Sequence, residues 1–101
     1  MFNHAVYFWL KPDLTPEQVA AFEGGLASLG AVKSVKALHV GRPAATDRPV
    51  IERSYSYALV ETFADQAGHD DYQEHPVHQA FVEQFKELWT RVLIFDSEDV
   101  G

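Results

Sequence analysis

The sequence predicts an α+β domain of β-α-β-β-α-β order, the ferredoxin-like arrangement, with a four-stranded antiparallel sheet and helices on one face. Three observations carry that prediction. Four segments rich in aromatic and β-branched residues read as strands. Proline-led segments with apolar residues at helical spacing read as the helices between them. A length of 101 residues suits one domain, residues 1–101, and is too short for two independent cores.

The first strand is "HAVYFWL", His4 to Leu10. After the turn at "KPDL", Thr15 is suited to cap a helix, Pro16 to its first position and Gln18 to closing a capping box. Val19, Phe22, Leu26 and Leu29 then form one apolar stripe. Gly24 and Gly25 interrupt it at about 1 kcal/mol each relative to Ala, which suits close packing against the sheet. A second strand runs from Val32 to Gly41, and "GRPAATDRPVIER" reads as a surface loop. The third strand is "SYSYALVETF" from Ser54, with Tyr55, Tyr57 and Leu59 on one face. A short helix is expected over 65–72. Pro76 opens another, with Val77, Phe81, Phe85 and Leu88 apolar, before a last strand, "RVLIFD".

Composition narrows the function. With 47% apolar residues the chain can bury a packed core, so disorder is not expected. Fifteen acids against eight bases give a formal charge of −7, a field that repels phosphate backbones and argues against nucleic-acid binding. Cysteine is absent, which removes thiolate chemistry and sulfur-based zinc sites. No apolar run approaches the roughly 18 residues of a membrane span, and no signal-peptide pattern is present, so a cytoplasmic location is the expectation.

The first and fourth strands are apolar on both faces. His4, Val6 and Phe8 alternate with Ala5, Tyr7 and Trp9; Val92 and Ile94 alternate with Leu93 and Phe95. A sheet with helices on one side leaves the second apolar face wet. Packing two sheets face to face buries it, which predicts a homodimer through the sheet face.

"HAVYFWLK", "GRPA", "SYSYALVETF", "YQEHPVHQAF" and "LWTRVLIFD", taken in order, span nearly the whole chain. Together they resemble the stress-responsive dimeric α/β-barrel (Dabb) family, with Tyr-x-x-His-Pro-x-His as the most specific element. The resemblance implies two sheets closing into a barrel with helices outside. The family is similar in part to plant stress proteins and includes a plant polyketide cyclase that needs no cofactor. In that enzyme a tyrosine and a histidine of this motif perform acid/base chemistry. Carried over, the resemblance implies catalytic roles for Tyr72, His78, Asp96 and His4. It implies a small aromatic or polyketide-like ligand bound by Val6, Phe8, Phe22, Leu26, Leu59, Phe81, Trp89 and Ile94. Where the cyclase has an aromatic pair on its first helix this chain has Phe22 and Glu23, and Leu26 replaces a further aromatic, so the same pocket shape is not implied.

In chemical terms, His78 lies at the third position of its helix, where the dipole disfavours imidazolium. Asp96 is expected to orient it, leaving a neutral base near pH 7. Tyr72 can donate to a carbonyl oxygen, and His4 shares a strand face with Val6 and Phe8. Against this stand a structural role, with His75 and Pro76 punctuating two helices, and non-catalytic binding of a small hydrophobic molecule. A metal site at His75 and His78, with His69, Asp70, Asp71 and Glu74 nearby, is not expected, since an N-capping ring need not share a direction with His78. Glu17, Glu83 and Glu87 read as a solvated helix face.

Overall fold

The computed structural model describes all residues, Met1–Gly101. Its elements are β1 (Phe2–Leu10), α1 (Pro16–Ser28), β2 (Ala37–Gly41), β3 (Tyr57–Phe63), α2 (Gln66–Glu74), α3 (Pro76–Phe85) and β4 (Trp89–Glu98), with single 3₁₀ turns at Leu29–Ala31 and Lys86–Leu88. The strand order is β2-β3-β1-β4, all neighbours antiparallel. This is the ferredoxin-like topology.

Local chemistry sets the helix ends. Thr15 accepts from the Gln18 amide while the Gln18 side chain accepts from the Thr15 amide, with Pro16 at the first helical position. Asp65 caps α2, and His75 both ends α2 and caps α3, its Nδ1 accepting from the Val77 N–H at 3.1 Å. Each cap satisfies an amide that has no partner within its helix.

The helices cover one face of the sheet. Phe2, Val6, Phe8, Leu59 and Phe63 from the sheet meet Phe22, Leu26, Leu29, Tyr72, Phe81 and Phe85 in one core. Phe22 sits at its centre, edge-on to Phe8 and to Phe85 at 5.3 and 5.7 Å between ring centroids.

Several expectations shift. The second strand is shorter than 32–41, because residues 32–36 turn back from the 3₁₀ segment before pairing begins at Ala37. The third strand begins at Tyr57, not Ser54. Tyr55 therefore escapes the strand's alternation and packs on the outer face against Tyr7, at 4.9 Å, whereas Tyr57 packs inward on Phe22. The close packing at Gly25 is against α3, not the sheet: an added Cβ would stand 2.3 Å from the Phe85 ring, while at Gly24 it would meet nothing within 4 Å.

Candidate active site

Antiparallel register puts three ionisable groups in a row across the helix-facing side of the sheet. His4 on β1 lies opposite Glu61 on β3 and opposite Asp96 on β4. His4 is buried, and its Nδ1–H donates to Asp96 Oδ1 at 2.5 Å. Since a carboxylate only accepts, this bond fixes the proton on Nδ1 and leaves Nε2 as a lone pair. Burial pushes the His4 pKa below its ordinary value, against the pull of Asp96.

The expected Asp96–His78 pair does not form. Asp96 belongs to His4 because the two are directly paired strand residues, whereas His78 stands on α3. His78 instead lies against Tyr72, ring centroids 4.8 Å apart. Its Nδ1 is enclosed and completes no hydrogen bond of ordinary geometry. Burial lowers the His78 pKa, partly opposed by the Gln73 main-chain carbonyl and reinforced by the neighbouring His4 and His69. The result is a neutral imidazole near pH 7, the state a general base requires.

Between the sheet and helices α2 and α3 lies a cavity of about 170 Å³. His4, Tyr72, Gln73 and His78 supply its polar wall. Six of the eight expected binding positions, Val6, Phe8, Leu59, Phe81, Trp89 and Ile94, line it, joined by Leu29, Val82 and Val92. Phe22 and Leu26 do not: both are wholly buried in the core, Phe22 packed against the lining rings of Phe8, Phe81 and Trp89 without reaching the cavity itself. On the β4 side Val92 and Ile94 are 40% and 48% exposed, so the cavity opens there.

Sequence reasoning missed Glu61, Gln73 and the part played by His69. Glu61 is completely buried, and neither carboxyl oxygen completes a hydrogen bond of ordinary geometry. Burial raises its pKa to about 7, with its interaction with Tyr72 pulling the other way. The Tyr72 phenol is raised in turn by burial and by Glu61. Strand alternation could have found Glu61, an acid between Leu59 and Phe63 on the inward phase of β3. Gln73 Nε2 donates to His69 Nε2 at 3.3 Å and, more loosely, to His4 Nε2 at 3.5 Å. His4, His69 and Asp96 offer ligand atoms within 4.8 Å of one another. Those atoms already answer one another and Gln73, and we assign no metal to them.

Fold and site together define a class: a ferredoxin-like α+β domain with an apolar, histidine- and tyrosine-walled cavity between helices and sheet. The stress responsive A/B barrel domain, Dabb, matches residues 2–99, so the chain belongs to the Dabb family. No curated protein matches the sequence. Among solved structures the chain is similar to a Dabb family protein with a ferredoxin-like fold from Mesorhizobium loti, at 27% identity and TM-score 0.81, covering 99% of this chain and 97% of that one. It is similar to a dimeric ferredoxin-like protein of unknown function from Thermobifida fusca, at 22% identity and TM-score 0.79, covering 97% and 90%. It is also similar to a hydroxynitrile lyase from Passiflora edulis, at 16% identity and TM-score 0.80, covering 99% and 94%. The last two likenesses are of fold.

Proposed function

We propose that the protein is a homodimeric enzyme performing acid/base chemistry, of cyclase, isomerase or lyase type, on a small aromatic or polyketide-like carbonyl compound. The observation that carries this reading is the contact of Tyr72 with His78 on the wall of an apolar cavity. His78 takes a proton from the carbon beside the carbonyl, and Tyr72 donates to the oxygen on which charge develops. His4, held by Asp96, lines the same space, its Nε2 lone pair met loosely by the Gln73 amide at 3.5 Å.

A cavity of about 170 Å³ lies below the roughly 300 Å³ at which ligand sites usually begin. The substrate is accordingly a compound of about one ring. That a hydroxynitrile lyase shares the fold supports the architecture as a host for chemistry on small molecules. The homodimer reading draws on the open, largely apolar concavity on the outer sheet face, about 510 Å³, walled by Tyr7, Trp9, Tyr55, Leu93 and Phe95 with Glu52. Likeness to a dimeric protein supports it.

Acetophenone, a one-ring methyl ketone, tests the chemistry through exchange of its methyl protons in heavy water, followed by NMR. The expected outcome is exchange faster than with free imidazole, lost in His78→Ala while acetophenone still binds. Equal exchange in His78→Ala removes His78 from the mechanism. Binding without exchange in the wild type favours a carrier of small hydrophobic molecules, the reading to which the predominantly apolar lining also lends itself.

A further inference from the structure

Glu61 stands in the interior without an ion pair or a completed hydrogen bond. It is 0% exposed, both carboxyl oxygens lack a hydrogen bond, and the strand residues opposite it are Leu38 on β2 and His4 on β1. An isolated buried carboxylate is costly, and the group avoids that cost by holding its proton. An apolar residue in the same space would bring no such penalty, so the carboxyl contributes nothing to the fold that explains it. Its neighbours place it beside Tyr72: the rings of His4, opposite Glu61 on β1, and of Phe63, the next inward residue on β3, lie 6.1 and 5.2 Å from the Tyr72 ring, which lines the cavity.

We propose that Glu61 is the proton reservoir of Tyr72, resupplying the phenol when it protonates an oxyanion in the cavity. The proposal rests on the acid/base reading given above and deepens it. The protons balance. His78 forms an N–H bond as the substrate C–H bond breaks, and the electron pair moves to the carbonyl oxygen. The Tyr72 O–H breaks as the substrate O–H forms, and the Glu61 O–H breaks as the Tyr72 O–H re-forms. Net charge is unchanged: a neutral His78 and neutral Glu61 become imidazolium and carboxylate. Release of the His78 proton and uptake of one by Glu61 restore the site. Tyr72 without such a donor would be left as a buried phenolate, which both burial and any charge on Glu61 disfavour.

The other ionisable groups nearby do not serve Tyr72 in this way. Asp96 is engaged by His4, and His69 donates to Asp70 at 3.1 Å while its Nε2 accepts from Gln73.

Two measurements decide the proposal. Infrared difference spectra against Glu61→Gln need no substrate. They are expected to show a protonated carboxyl band at pH 6 that disappears around pH 7 and is absent in the variant. No such band at pH 6 overturns the proposal. The second measurement is acetophenone exchange. Glu61→Gln and Glu61→Leu, both neutral and sized for the site, are expected to bind acetophenone like the wild type. Both should exchange it about tenfold or more slowly, without the limb near pH 7. Wild-type exchange rates in both variants overturn the proposal. Wild-type protein that exchanges nothing overturns the catalytic reading instead, and the infrared band still reports whether Glu61 holds a proton to give.

Discussion

At the level of single side chains, His4 is governed by two opposed influences. Burial removes solvent from the imidazolium and lowers its pKa, while the Asp96 hydrogen bond and charge raise it. Asp96→Asn deletes the raising influence, so His4 should titrate at still lower pH, read from its ring nitrogen shifts by NMR. A His4 pKa that stays or rises would show that Asp96 is not the stabilising partner. His4 and His78 share one sign in the pH dependence of folding. Both are held below about 6.5, so their contribution is full above that pH and is lost as pH falls through it. Glu61 has the opposite sign. Its pKa is raised from about 4.5 to about 7, so its contribution is present below about 4.5 and lost as pH rises to about 7. The inward alternation of β1 makes His4 legible in the sequence as a cavity residue. Its partner is not legible, because no spacing rule tells which of two strands of unknown register brings an aspartate opposite it.

At the level of elements, the join between α1 and α3 is set by a missing side chain. Gly25 lets the Phe85 ring approach closer than any Cβ would allow, and that ring is held by Phe22 and Phe81 at 5.7 and 5.2 Å, so it has little room to retreat. Gly25→Ala should lower stability by about 1–3 kcal/mol, despite the intrinsic helix preference for Ala. Gly24→Ala, with open space at its Cβ, should raise stability by up to about 1 kcal/mol. Urea denaturation of the pair checks both signs, and a stabilising Gly25→Ala would mean that the ring moves freely. The helix starts at Pro16 and Pro76 were readable because capping is local chemistry. The partner of the glycine pair was not: the apolar stripe of α1 says that a face is buried, not what it meets.

At the level of the whole molecule, one sheet face carries helices and the other carries half-buried Tyr7, Trp9 and Leu93 with Phe95 58% exposed. Burying this face against a second copy is the physical reason for the proposed dimer. Light scattering at micromolar concentration should give twice the chain mass for the wild type and the single chain mass for Phe95→Asp. A monomeric wild type would sink the assembly. The cavity mouth at Val92 and Ile94 lies on the edge strand β4, so acetophenone affinity measured on both proteins would reveal whether assembly also closes the site.

Sequence by itself determined the element order and the caps at Thr15 and His75, because these follow from periodicity and local hydrogen bonding; its ordered motifs gave the family, and the resemblance to that family grouped Tyr72, His78 and His4 at one site. Tertiary structure decided what depends on register and on distances across the fold. It gave Asp96 to His4 instead of His78, withdrew Phe22 and Leu26 from the cavity lining into the core, and buried Glu61 beside His4 and Phe63, whose rings meet Tyr72. Those outcomes follow from which strand residues lie opposite each other and how far a helix stands from the sheet. No stretch of chain encodes either locally.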